Sequence, residues 1–121
     1  MKSKHPQLFK EINYLECDVG WQDIISSLAN TITHEIERIA TLDPLVVEGI
    51  YAVQIKEKFG GLRFYMNHST PYIDGAISLA ESMSYKTCET CGNRAGSRHN
   101  VGGWIKTCCD KCLKKKTKTR D

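Results

Sequence analysis

Apolar residues along this chain follow two different periods. After Gly20 and Trp21, Ile24, Ile25, Leu28, Ile32, Ile36 and Ile39 recur at steps of one, three or four. That spacing holds them on one stripe of a helix running from about residue 21 to 41. Asp23, Ser27, Asn30, Glu37 and Arg38 fall on the opposite face, and Asp43–Pro44 ends the periodic run because proline disfavours helical backbone in the residue before it. The period then drops to two. Tyr51, Val53 and Ile55 alternate with Ala52, Gln54 and Lys56, and Leu62, Phe64 and Met66 alternate with Arg63 and Tyr65. Two alternating runs around Gly60–Gly61 predict a β-hairpin. Ser69 or Thr70 before Pro71 starts a second helix to about residue 85, with Ile73, Ala76, Ile77, Ala80 and Met83 inward. Ahead of all this, Leu8, Phe9, Ile12 and Leu15 sit at helical spacing and predict a short leading helix.

The expected fold class is therefore α+β. Residues 1–86 form a helix–hairpin–helix body, with both helices on one face of the hairpin, because a two-stranded sheet alone is marginal. The period is lost after residue 86, and cysteine takes over as the informative residue.

The stretch CETCGNRAGSRHNVGGWIKTCCDKC holds two C-x2-C pairs, Cys88/Cys91 and Cys109/Cys112, with 17 residues between them. Two residues between thiols let a tight knuckle aim both sulfurs at one ion, and two knuckles complete a tetrahedron. Gly92 fits the turn after the first knuckle, Gly102–Gly103 fit a hairpin bend, and DKCLKKK fits a helix. Residues 87–113 are thus expected to be a zinc-ribbon or treble-clef-like module holding one structural Zn2+, with 114–121 a basic tail. Cys108 rivals Cys109 as a ligand, but it would give the looser C-x3-C spacing. Cys17 reads as a buried or half-buried thiol and His99 as free of metal. With the metal bound, removing it should unfold the segment after residue 86 first.

No apolar run approaches the roughly 20 residues that span a bilayer, and the N-terminus lacks the apolar stretch of a signal peptide. A cytoplasmic location is expected, where thiols stay reduced. That favours metal over disulfides for the 6 cysteines.

Charge is divided unevenly. Residues 1–87 carry a formal charge of −3 and residues 88–121 carry +6. This asymmetry points to a polyanion partner. Arg94, Arg98, Lys106, Lys111, Lys114, Lys115 and Lys116 are the candidate phosphate contacts, with Trp104 either stacking on a base or covering the core beside the metal. Lys56, Arg63 and Tyr65 of the first hairpin mix basic and aromatic groups and form a second candidate face. A cross-strand pair of Glu57 with Arg63 is the simpler reading there.

Nothing convincing points to an enzyme. His34 begins HEIER, but Arg38 stands where a zinc protease helix needs its second histidine, so His34 reads as a solvent-facing residue. Four thiolate ligands would also leave a metal no open position for substrate.

CDVGW, QIKEKFGGLRFY, AESMS and the string CETCG…GSR…GGW…TCCDKC together resemble a group of small uncharacterised proteins of phages, prophages and bacterial genomes. The resemblance covers about residues 17–112 and places the second pair at Cys109 and Cys112. It implies a mobile-element origin but no defined activity. A non-enzymatic protein binding nucleic acid is the leading expectation. The alternatives are an inhibitor of host machinery or antiviral defence, and a binder of a small nucleotide signal.

Overall fold

The structure is a computed structural model describing residues 2–118, with side chains through residue 115. The long apolar stripe makes helix α1, Gln22–Leu42, entered through a 3-10 turn at Val19–Trp21. Its stripe is buried as the periodicity requires, from Ile24 through Ile36, while His34 and the polar face are exposed. Asp43 ends α1 and then caps a single further turn, α2 (Pro44–Val47), its carboxylate accepting from the Leu45 N–H at 3.1 Å. The pattern Asp-Pro thus restarts a helix as well as ending one.

Strands β1 (Ala52–Lys58) and β2 (Gly61–Met66) form the expected antiparallel hairpin. Two details differ from the sequence pattern. First, the register shifts between Ala52 and Gln54. This bulge turns Val53 out to solvent and lets Ala52 and Ile55 both face the core. A bulge is the one device that breaks a strict two-residue alternation. Second, the turn residues are Phe59 and Gly60, not the glycine pair, since Lys58 already pairs with Gly61. Both turn residues have positive φ, 55° and 80°, as the tightest hairpin turns require. Phenylalanine is strained there. We expect Phe59→Asn to stabilise the fold by about 1 kcal/mol, read as a rise in Tm; an unchanged or lower Tm would mean the exposed ring makes a contact worth more than the strain.

Helix α3, Pro71–Ser84, is capped by Thr70, whose Oγ1 accepts from the Ile73 N–H at 3.2 Å. It packs on α1 and on β2. Ile73 and Ala80 are buried as expected, but Met83 is 50% exposed and sits on the rim of the helix. The leading segment does not form a helix. Residues 2–11 run in turns, yet Leu8, Phe9 and Ile12 are buried in the main core. The strand pairing explains this: the Ala52 N–H donates to the Leu8 carbonyl at 2.9 Å, and Glu16 pairs with Lys56 in a short parallel bridge. The segment is committed to hydrogen bonds with β1, so the apolar spacing is used without the helical backbone.

The C-terminal region contains strands β3 (Ser97–Val101) and β4 (Trp104–Cys108), antiparallel around Gly102–Gly103, then helix α4 (Asp110–Lys118). Cys88, Cys108, Cys109 and Cys112 form a small buried cluster separate from the main core, and Glu89, Val101 and Thr107 are buried in the same region. The two regions nevertheless touch closely. Gly20 donates its N–H to the Glu89 carbonyl at 2.9 Å, and Trp21, 0% exposed, donates its indole N–H to the Thr87 carbonyl at 2.9 Å. The expected boundary at residue 86 is therefore crossed by hydrogen bonds from the start of α1.

Candidate metal centre

Cys88 and Cys91 lie in a knuckle closed by the Gly92 N–H donating to the Cys88 carbonyl at 2.9 Å. Gly92 has φ 85°, and a Cβ there would meet the Gly20 carbonyl oxygen at 3.1 Å, so both conformation and space favour glycine. Cys109 follows β4, and Cys112 lies in the first turn of α4. The four sulfur atoms all lie within 4.8 Å of one another, with Cys91 and Cys109 3.6 Å apart. Four sulfurs around a tetrahedral ion at about 2.3 Å would stand about 3.8 Å apart. The cluster fits a metal ion in donor number, donor type and spacing. Cys88, Cys109 and Cys112 are buried and Cys91 is exposed. Burial pushes the Cys88 thiol up, but backbone N–H groups of Cys109, Cys91 and Thr90 pull it down, to about 6. Such donors favour the thiolate, the form that binds metal.

Cys108 is fully buried beside this group but lies outside the set of four. Its neighbour's sulfur reaches the cluster because β4 ends there and the chain turns into α4. Cys17 is half-buried, and burial first, then Asp18, push its thiol up to about 11. It is a neutral thiol at physiological pH and lies outside the four-cysteine cluster.

A polar network joins the metal centre to the tip of the first hairpin. The Thr107 hydroxyl donates to the Gly60 carbonyl at 2.6 Å, and the Arg98 guanidinium donates to the Phe59 carbonyl at 2.9 Å. Glu57 accepts from the Gly60 N–H at 2.8 Å. Lys106 reaches both Glu57 and the buried Glu89 at 3.4 Å. Burial opposes charge on Lys106, but Glu89 and Glu57 prevail and hold its pKa above the usual lysine value. Arg98 also lies over the Tyr85 ring at 4.0 Å, and Arg63 pairs with Glu81 at 2.8 Å. Tyr85 itself covers Gly61, where a Cβ would stand 2.5 Å from the ring.

The residues expected to bind a partner are thus divided. Arg63, Arg98 and Lys106 each hold an acceptor within the chain. Arg63 faces Lys56 across the strands and takes Glu81, so the expected Glu57–Arg63 pair does not form. Lys56 is half-exposed and Tyr65 41% exposed. Arg94, Lys111, Lys114 and Lys115 are exposed on the C-terminal region, and the Lys116 side chain lies outside the described residues. Trp104 is 68% exposed at the β3–β4 bend and does not cover the cysteine cluster. His99 is hydrogen-bonded to Ser97 at 3.0 Å and is not among the metal-facing groups.

The sequence pattern pairs Glu57 with Arg63, not with Lys106, and leaves Glu81 and Glu89 without a role. Glu89 sits inside the knuckle, and Glu57 and Glu81 sit in amphipathic elements where a carboxylate is ordinarily solvated. Within FGGLR, Phe59 and Gly60 accept from Arg98 and Thr107 of the cysteine-bearing region, while Leu62 and Arg63 are held by Ser84 and Glu81 of α3. No known protein family, curated protein or solved structure matches the chain.

Proposed function

We propose that the chain is a non-enzymatic zinc-binding accessory protein of the phage and prophage kind, binding nucleic acid through a basic C-terminal surface. The observation that carries the zinc assignment is the set of four sulfurs within 4.8 Å of one another. An all-thiolate tetrahedral set suits zinc, with iron as the rival that elemental analysis distinguishes. Four protein ligands close the ion to substrate, so its role is structural. The order of knuckle, hairpin and ligand-bearing helix supports a treble-clef-like module over a plain ribbon.

The nucleic-acid reading rests on Arg94, Arg98, Lys111, Lys114 and Lys115, which are exposed, with Lys116 beyond them. Arg63 and Lys106 are only part-exposed and face Glu81, Glu57 and Glu89, which weakens their claim to the binding face. Titration of DNA and RNA at several salt concentrations tests this. Changing Lys114, Lys115 and Lys116 together to Gln should weaken binding and make its salt dependence shallower by nearly one for each phosphate no longer neutralised. Absence of binding even at low salt, where attraction is strongest, would sink the reading.

One observation favours the second reading, a protein that binds and inhibits host machinery or antiviral defence. Leu42, Leu45 and Val46 are 75%, 80% and 53% exposed together at the α1–α2 corner, and exposed apolar groups in a cluster mark protein contact. Such binding would resist salt. A nucleotide-signal site at Lys56, Arg63 and Tyr65 loses its main cation to Glu81 and has no comparable support.

A further inference from the structure

Trp104 is the largest apolar side chain left in solvent among the described residues of the C-terminal region, 68% exposed. The backbone fixes it there. Val101 pairs with Trp104 across β3 and β4, so Gly102 and Gly103 alone form the turn between them. Both have positive φ, 60° and 90°, the backbone of a tight two-residue hairpin. The Asn100 carboxamide oxygen accepts from the Gly103 N–H at 2.8 Å and braces the turn. Trp104 is thus offered at the end of a closed hairpin, not on a loose loop. His99 and Lys106 lie opposite each other on the same two strands, and alternation puts them on the face of Trp104. His99 is diagonal to Trp104, with its Nε2 hydrogen-bonded to the Ser97 hydroxyl at 3.0 Å. One face of the hairpin therefore carries an indole, an imidazole and an ammonium group.

We propose that this face binds an unpaired base of a single-stranded nucleic acid, stacked on the Trp104 indole. The inference rests on the nucleic-acid reading above and adds the form of the ligand. Two observations choose a base over an apolar protein partner. First, protein contacts are marked by contiguous apolar groups, and Trp104 has no exposed apolar neighbour on its hairpin: Val101 is buried, and Ile105 is half-buried on the opposite face. Second, residues 88–121 carry a formal charge of +6, and four thiolates with one zinc dication remove only two of those charges. Arg94, Arg98 and Lys111 are exposed in the same region. A flat apolar ring joined to an anionic chain is what a nucleotide offers. Aromatic stacking combined with cations along the backbone is how single strands are held without sequence preference. A duplex keeps its base faces stacked on one another and offers the indole none. Cations alone attract either form, so the aromatic residue sets the preference between them.

Fluorescence titration of the metal-loaded full chain tests this. The chain has 2 tryptophans, and Trp21 is 0% exposed, so quenching on binding reports Trp104. The probes are a short oligodeoxythymidine, its oligouridine counterpart, and the deoxythymidine strand annealed to its complement. Both single strands should quench the emission and bind roughly tenfold more tightly than the duplex; the tighter of the two shows whether DNA or RNA is preferred. Trp104→Ala should keep one zinc and the circular dichroism spectrum. It should lose about tenfold in single-strand affinity and leave duplex affinity and the salt slope unchanged, and Trp104→Phe should recover most of the loss. The unchanged slope separates stacking from phosphate contact, which the lysine changes above alter instead. Single-strand binding that leaves the emission unquenched, or that is indifferent to Trp104→Ala, would overturn the inference while the polyanion reading stands. So would a wild-type chain that binds the duplex as tightly as the single strands. Binding of none of the three probes at low salt would overturn both and leave Trp104 to a protein partner.

Discussion

Serine in place of any one of Cys88, Cys91, Cys109 or Cys112 is expected to empty the metal centre and unfold the C-terminal region. Serine offers a poor zinc ligand in place of a thiolate, and a site of three sulfurs loses the closed tetrahedron. Binding in structural zinc modules contributes on the order of 10 kcal/mol, comparable with the whole stability of a small domain. The region has little else to fold around: its buried cluster consists of Cys88, Cys108, Cys109 and Cys112, with Leu113 packed against them. Elemental analysis should find close to one zinc per chain in wild type and far less in each of the four variants. Cys108→Ser separates the ligand set from mere burial. Cys108 is 0% exposed, so the change should cost about 1–3 kcal/mol for a hydroxyl in a thiol's place, but the zinc should remain. Cys17→Ser should keep both zinc and stability. Loss of zinc from Cys108→Ser, with retention in Cys109→Ser, would reverse the assignment of the second pair.

The parts of this fold that the sequence made legible are those where one local rule decides. The Ile24–Ile39 stripe has no other use than a buried helix face, and the C-x2-C pairs have few uses other than one ion. Three features escaped because a distant partner decided them. Leu8, Phe9 and Ile12 have helical spacing, but hydrogen bonds from β1 to Leu8 and Glu16 hold their segment in turns. Val53 has the spacing of a core residue, but the bulge beside it turns it outward. Arg98 and Lys106 have the composition of a phosphate-binding face, but a hairpin tip far back in the chain and the carboxylates of Glu57 and Glu89 occupy them in part. Charge counts cannot tell a cation that faces solvent from one that faces a glutamate. Only the fold brings Glu57 and Glu89 to one ammonium group.

The same long-range contacts predict that the body and the cysteine-bearing region fold together, and Gly20→Ala is the sharpest test. Gly20 occupies the turn before α1, where its backbone angles are open to any residue; space alone demands glycine. A Cβ there would stand 2.1 Å from the Cys88 carbonyl oxygen and 2.4 Å from the Glu89 carbonyl carbon. These are backbone atoms of the first knuckle, so no side chain can swing aside to relieve the overlap. The turn and the knuckle must separate. That would break the Gly20–Glu89 hydrogen bond and pull the Trp21 indole from the Thr87 carbonyl. A clash between two backbones with loss of buried hydrogen bonds belongs to the severe class of substitutions, about 3 kcal/mol or more. Because the displaced atoms belong to a metal ligand, zinc affinity should fall at least tenfold, measured by chelator competition, although all four thiols remain. Gly75→Ala supplies the control. It makes the same chemical change where a Cβ meets nothing, and should raise Tm through helix propensity. The two glycines therefore carry opposite signs for one physical reason, the presence or absence of a neighbour. Hydrogen exchange during chelation reads the coupling from the other side. If the regions are joined as the Gly20 and Trp21 contacts require, metal removal should expose the start of α1 along with the knuckle. Unchanged Tm and zinc affinity in Gly20→Ala, with α1 still protected after chelation, would mean that two independent units merely touch.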